Sequence, residues 1–579
     1  MSTRVVRACL AVSICLLASA ASATAATRPL FSSQQLGATG LTQYSIDLET
    51  GALTQQGAIT PSGVTPTVPG ISPDGSRIYV SGYNDNQIHG FSIAAGGLTA
   101  LAGFPVSTGG GPNETVVAPG GGALWTANNL DGSASAFTLD ASGGLTEVVG
   151  SPYTAGGADT ALAVSPRNSL MYVAGFTTNQ LAGFSVGSGG ALAALSGFPL
   201  AKTGTPVDVE YNVAGNVLFV ADQSDDTISS YAINTSSGAL TEVAGSPFAA
   251  GDAPAALAAS ADGKWLFVIN SAADTIQSFA IAGDGALTPA GAPVATQSLP
   301  NDLAVTPDSR FVYTADYTSS SISGFSIGAD GSLSPLSGSP FGDNSGAVAS
   351  LAIVPDQGPV ASFTASVKDY TASFNAAASA DPDGSVVSYV WDFGDGQSTT
   401  TSSPQSTHTY AGIGNFNVSL RVIDNENCSN LQIGTGQTIA CNGSAAAVTS
   451  NSVAPPGPLT LKHATGKQLE GSKTNGKVQR RVQIEFFLNR SASVSYQFQK
   501  SSSKGRCRKS TSKKKKKATY KNFGKKASYP ATGSRNRRIF TGKFGGKTIV
   551  AGRYRVVLKA TAPDSDATPS TTSASFCVS

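Results

Sequence analysis

Beyond its first two dozen residues the chain is written in short apolar runs that alternate with polar positions and are broken by Gly, Pro, Ser and Asp. Such runs predict β-strands joined by tight turns. One aromatic returns through them, at Tyr44, Phe91, Phe137, Phe184, Tyr231, Phe279 and Phe325, at intervals of 46 to 48 residues. Around each lies the same order of elements. A turn such as Ser72-Pro73-Asp74-Gly75 leads into a strand such as Ile78-Tyr79-Val80. Then come the strand with the aromatic, a Gly-x-Leu step, and a closing turn such as Gly245-Ser246-Pro247-Phe248 or Gly338-Ser339-Pro340-Phe341. Units of this length with four short strands predict a β-propeller, in which each blade buries its faces against its neighbours.

The ends of the array predict how the ring closes. Leu30 to Gln56 hold the later strands of a unit without its first, and Leu351 to Asp356 supply a first strand with nothing after it. Joined in one sheet they complete a seventh blade and remove the open edge, which places a seven-bladed propeller over residues 27–356. The repeats resemble the lactonase-like seven-bladed propeller family in the Ser72 to Gly75 turn, in Met171-Tyr172-Val173-Ala174 and in Ile322-Ser323-Gly324-Phe325-Ser326-Ile327. Members of that family are often described as 6-phosphogluconolactonases, so the resemblance implies a hydrolase acting on a sugar lactone.

The charged residues argue for a different role. A phosphorylated substrate needs convergent cations, and lactone opening needs a positioned base or a metal-activated water. Residues 27–356 hold six Lys or Arg, and four of them, Arg77, Arg167, Lys264 and Arg310, share one repeat position in or beside the Ser-Pro-Asp-Gly turn. These are expected to be solvated hairpin charges. Arg28, Lys202 and His89, the propeller's sole histidine, remain as catalytic candidates. With 25 Asp and Glu the segment carries −19, which repels a phosphorylated acid. Asp222, Asp225 and Asp226 crowd one loop without the spacing of a calcium loop and are expected to be solvated. No cofactor is expected, and a divalent metal held in the funnel by several blades stays open as an alternative.

After Asp356 the periodicity stops. Tyr389-Val390-Trp391-Asp392-Phe393-Gly394-Asp395-Gly396, His408-Thr409-Tyr410 and the alternating Val418-Leu420-Val422 closely resemble a PKD domain, an immunoglobulin-like β-sandwich of extracellular proteins. Asp392 and Asp395 look like a catalytic pair, but carboxylates beside glycines are expected to bind turn amides. The domain is assigned to residues 357–455, with the segment carrying Cys428 and Cys441 as its extension.

Residues 456–579 form a third region, with strands expected at Val482 to Leu488, Val494 to Phe498, Tyr554 to Leu558 and Ala574 to Val578. The fold class is therefore all-β: a seven-bladed propeller, a PKD sandwich and a basic sandwich-like domain. Total charge conceals this division, since 38 Lys+Arg stand against 36 Asp+Glu. Residues 27–455 carry −24 and residues 456–579 carry +24, with Lys513, Lys514, Lys515, Lys516 and Lys517 in one expected mobile loop.

At the N-terminus Arg4 and Arg7 precede an apolar stretch, Ala8 to Ala18, followed by A-x-A sites. This predicts a signal peptide over residues 1–26, too short to span a bilayer that needs ~20 apolar residues. Four cysteines remain, and their spacing favours Cys428 with Cys441 and Cys507 with Cys577 as disulfides over a zinc site. The expected protein is a secreted or cell-surface monomer without a transmembrane segment in the mature chain. It binds an extracellular protein or glycan through its propeller and an anionic surface polymer through its basic domain, with nucleic acid only as a nonspecific polyanion. A secreted lactonase-like hydrolase is the alternative.

Overall fold

Each repeat folds as one antiparallel sheet whose strands follow chain order outward from the ring axis. In the computed structural model the described residues are 26–578, apart from 38–39, 60–63, 95–96, 168, 343–345, 456–458, 460, 475–476, 489–491, 502–519, 523–524, 532–534, 542, 545–546, 549–551 and 562–569. The innermost strands of blades 1 to 6 are Gly70–Ile71, Pro112–Val117, Asp159–Val164, Pro206–Tyr211, Pro254–Ala259 and Pro300–Val305. Blade 7 is the expected composite: Gly346–Ile353 is its inner strand, and Thr27–Gly37, Gly40–Asp47 and Leu53–Ile59 follow outward. Leu30 pairs with Ile353 and Ser32 with Leu351, so the two ends of the repeat array close the ring by antiparallel pairing.

The core is a set of seven wedges between successive blades, and the recurring aromatic fills every one. Tyr44 lies in the wedge of blades 6 and 7, Phe91 in that of 7 and 1, and Phe137 in that of 1 and 2. Phe184, Tyr231, Phe279 and Phe325 continue the series around the ring. A fully buried aromatic contributes about 2–3 kcal/mol, which explains why the period is kept at this position.

A second repeated device joins neighbouring blades through hydrogen bonds. Tyr79, Tyr172 and Tyr313 donate from OH to the carbonyls of Gly143, Gly238 and Gly51 at 3.1, 2.7 and 2.7 Å, and Trp125 Nε1 donates to Gly190 O at 2.8 Å. Where the aromatic is Phe219 or Phe267, the cross-strand partner is Ser230 or Ser278. Those hydroxyls donate to Gly285 O and Gly331 O at 2.8 and 2.7 Å. The tyrosines instead face glycines, Gly90, Gly183 and Gly324. A Cβ at Gly324 would stand 3.1 Å from the Tyr313 ring, so the hydroxyl donor comes from one strand or the other.

The basic residues beside the Ser-Pro-Asp-Gly turns refine one expectation. Lys264, Arg310 and Arg167 are exposed as expected, at 66% and 51% for the first two, and Arg77 is half-buried, but the three arginines also bond the next blade. Arg77 Nη2 reaches Ala141 O at 2.8 Å, Arg167 Nε reaches Val213 O at 3.3 Å, and Arg310 Nη1 reaches Leu48 O at 2.6 Å, each on the next blade. A guanidinium is long enough to serve the neighbour's turn carbonyls, whereas the Lys264 ammonium stays with its own Asp262 at 2.7 Å.

The chain divides into two units, residues 1–357 with 426–442, and residues 358–425 with 443–579. Hence the Cys428/Cys441 segment, placed with the sandwich by chain order, belongs to the propeller. The disulfide Cys428–Cys441 forms as expected. The segment is anchored on the ends of the inner strands. Val164 N donates to Gly436 O at 2.9 Å, Tyr211 N to Thr435 O at 2.8 Å, and Gln432 Nε2 to Pro119 O at 2.7 Å. Without those partners the edge amides of two inner strands would be buried unpaired, which makes the segment a plug for that end of the ring.

In the second unit the PKD sandwich sets a three-stranded sheet (Thr364–Lys368, Thr371–Asn375, Gln405–Thr409) against a four-stranded one (Ser398–Thr401, Val386–Asp392, Phe416–Asp424, Val448–Val453). Trp391, fully buried, sits among Phe374, Phe393, Val418 and Leu420. Asp392 Oδ1 accepts from Gly394 N at 2.9 Å and Asp395 Oδ1 from Gln397 N at 3.1 Å, so both acids serve turns. The basic region has its own core around Phe486, Val494, Phe498 and Val556, with strands at all four expected places. Residues 1–25 of the expected signal peptide, Cys507 and Lys513 to Lys517 lie outside the described residues, as does the side chain of Cys577.

Candidate functional site

The inner strands leave a cavity of about 480 Å³ on the propeller axis. Each strand presents half of its backbone amides toward the axis, where no sheet partner exists, and acidic side chains take up that role. Glu114 Oε2 accepts from Leu162 N at 2.7 Å, Asp208 Oδ2 from Leu257 N at 2.6 Å, and Asp302 Oδ2 from Leu351 N at 2.8 Å. Each therefore reaches from its own blade to the inner strand of the next. Glu210, deeper toward the plug, does the same for Ala259 N at 2.9 Å. A register irregularity precedes Asp208 and Asp302, after Pro206 and Pro300, and turns each acid toward its neighbour.

The three cavity acids occupy blades 2, 4 and 6, at the second position after a proline in Pro112-Asn113-Glu114, Pro206-Val207-Asp208 and Pro300-Asn301-Asp302. Blades 3 and 5 have Ala161 and Ala256 there, small enough to leave room between the acids. This recurrence over every second repeat was visible in the sequence and is the signal by which these residues could have been found.

Burial governs the chemistry of these groups. It pushes the Asp208 carboxyl up to about 6 and that of Asp302 up to about 7, against the opposing effect of their backbone donors. Glu114 is held well above the usual carboxylate range by burial and then by the nearby Asp208, and Glu210 by burial first. Gln437 of the plug forms part of the cavity floor, donating from Nε2 to Asp208 Oδ1 at 2.6 Å and to Val209 O at 2.9 Å. Asn129, Phe176 and Gln223 add to the lining. No Lys, Arg, His or Cys lines the cavity among the described residues.

The catalytic candidates lie elsewhere and do not converge. Arg28 is 2% exposed and binds Glu426 from Nε at 2.7 Å, Asp356 from Nη2 at 2.7 Å and Pro355 O from Nη1 at 3.1 Å, tying the plug to the closing strand. Lys202 Nζ donates to Ser229 Oγ at 2.6 Å and Tyr231 OH at 2.7 Å and pairs with Asp222 at 3.1 Å. Asp222 is thus buried, with its carboxyl raised by burial, rather than a solvated loop charge; Asp225 and Asp226 of the same loop are exposed. His89 Nε2 meets Asp85 at 2.8 Å on a blade strand away from the cavity. Among the described residues the cavity acids do not gather within one metal's ligand shell.

Comparison with known proteins agrees with this architecture. Residues 88–249 and 242–350 match the sequence profile of the family "Lactonase, 7-bladed beta-propeller", and residues 356–439 match that of the PKD domain. The first unit is thus a lactonase-like seven-bladed propeller, and a PKD domain follows it. A candidate 6-phosphogluconolactonase of Bacteroides uniformis superposes with a TM-score of 0.51 at 18% identity, covering 57% of this chain and 100% of that one. Its counterpart from Bacteroides fragilis gives 0.50 at 19% identity, covering 57% and 99%. At such identities the likeness is one of fold. A microbial collagenase of Vibrio alginolyticus is 40% identical over 77 residues, 13% of this chain and 9% of the collagenase. The pre-pro-metalloprotease PrtV of Vibrio cholerae is 40% identical over 68 residues, 12% and 7% of the two chains. The chain therefore spans less than a tenth of these relatives. Among its described residues no helix is long and apolar enough to cross a membrane.

Proposed function

We propose that this is an exported protein of the cell surface or its surroundings that binds a small ligand in the propeller cavity without converting it. The basic C-terminal region, on this reading, attaches the protein to anionic polymer. One observation carries the proposal: among the described residues the cavity offers carboxyls, amides and hydroxyls but no cation for a phosphate and no Cys or His, while Arg28, Lys202 and His89 are committed to structural partners. The PKD domain and the partial likeness to a collagenase and a metalloprotease support an extracellular setting.

The lactonase reading draws on one specific feature, the approach of three carboxyls from different blades. Two of them, Asp208 and Asp302, are raised by burial, but both oxygens of each are engaged by backbone or plug donors, which fixes the carboxyls on the strands rather than on a water. A screen of sugar lactones with the full-length protein, with and without divalent metal, separates the readings. No turnover is expected; hydrolysis abolished by Glu114→Gln would overturn the binding proposal. Binding of the full chain to a polyanion should weaken steeply with salt, and salt-independent binding would remove the surface-attachment part.

A further inference from the structure

Glu114 differs from the other cavity acids. Asp208 uses both oxygens on Leu257 N, Val209 N and Gln437, and Asp302 uses both on Leu351 N and Leu303 N. Glu114 engages only Oε2, by Leu162 N, while among the described residues nothing donates to Oε1, although the residue is 4% exposed and lines the cavity. Oε1 is open to the cavity rather than sealed in its wall, so a donor that enters can reach it. Gln437 repeats the arrangement at the floor: its Nε2 is fixed by Asp208 and Val209 O, and among the described residues nothing donates to its Oε1. The cavity volume lies within the ~300–1,000 Å³ of small-molecule sites.

Resting on the binding role above, we propose that the axial cavity takes a small hydroxylated organic cation of the amino-sugar class, its ammonium against Glu114 and its hydroxyls donating to Gln437 and the neighbouring amides. An anionic sugar acid meets three acids and no cation. A neutral sugar fills the acceptors but brings no charge to draw the proton off Glu114. Burial first, and then the acids Asp208, Asp302 and Glu210, hold the proton on Glu114 against one opposing donor, Leu162 N. An entering ammonium reverses that balance, so binding releases a proton.

The test is calorimetric titration of the full-length protein with glucosamine and galactosamine, set against glucose, galactose and gluconate. It is run at about pH 6.5 in two buffers of different ionisation enthalpy. The amino sugars should bind at least about tenfold more tightly than their neutral parents, as a charge-assisted hydrogen bond implies, gluconate should not bind, and the heats should differ between buffers in the sense of proton release. Glu114→Gln keeps an acceptor for Leu162 N and should abolish the preference, whereas Asp85→Asn, outside the cavity, should leave it. Equal binding of amino and neutral sugars, an unaltered preference in Glu114→Gln, absence of proton release, or no amino-sugar binding would each overturn the inference. Absence of binding without lactone turnover overturns only the ligand class, while lactone turnover overturns the binding role itself.

Discussion

Replacing Asp208 by Asn tests the electrostatic account of the cavity through the pH dependence of stability. Asp208 is 5% exposed, and burial lifts its carboxyl from near 4 to about 6. Below about pH 4 the group is protonated in both the folded and unfolded chains, so no ionisation penalty exists and its contribution to stability is greatest. As pH rises through about 4 to 6 the unfolded chain ionises first, and stability is lost until the folded carboxyl ionises too. Two pK units at about 1.4 kcal/mol each give a loss of about 3 kcal/mol across that window. Asparagine has no such titration. It does lose one acceptor, because its amide nitrogen must face either Leu257 N or Gln437 Nε2, both donors, at a cost of about 1–3 kcal/mol at every pH. The variant should therefore be clearly less stable than the parent near pH 4 and equal to it or more stable near pH 8. Urea unfolding of both full-length chains at several pH values, followed by tryptophan fluorescence, measures the gap. Titrations that Asp208 does not influence cancel in the difference, and relief of Glu114, Glu210 and Asp302 from its charge favours the variant further at high pH. A gap that stays constant from about pH 4 to pH 8 would refute the burial argument.

Three further outcomes follow from the same structure. Ser230→Gly leaves Gly285 O without its donor and should cost about 1–2 kcal/mol, while adding Phe219→Tyr should restore stability, as the Tyr172 and Gly183 pair does one blade earlier; an equal effect of Phe219→Tyr with and without Ser230 would refute the exchange. Arg28→Met strands Glu426 and Asp356 and should destabilise the propeller by about 3–5 kcal/mol, read as a lower urea midpoint. Removing the Cys428–Cys441 bridge, with 13 residues of sequence separation, should cost about 3 kcal/mol by loop closure, and reductant should reproduce the shift in the parent but not in Cys428→Ser/Cys441→Ser.

How much of this was legible depended on the distance over which each feature is decided. The period of the aromatics predicted the blades because every wedge makes the same demand on the same strand position, and the incomplete units at Leu30 and Leu351 predicted the closure. The PKD core followed from the alternation around Val418 and Leu420 and from Trp391. Asp222 was misjudged in burial because its pairing with Lys202 depends on how two blades meet. The cavity acids were passed over because each resembles an ordinary loop or strand carboxylate until the repeats are wrapped into a ring.

What the chain alone determined is what repeats locally: strand alternation, turn chemistry, the aromatic period and the short disulfide loop, all decided within a few dozen residues. The tertiary structure decided the rest. It carried residues 426–442 out of the sandwich's run of sequence to cap the propeller, set Glu426 against Arg28 across 398 positions, and brought Glu114, Asp208 and Asp302 to one cavity. The physical reason is that burial and partnership of a charge depend on which edges and carbonyls remain unpaired after the ring closes. No local pattern encodes that remainder.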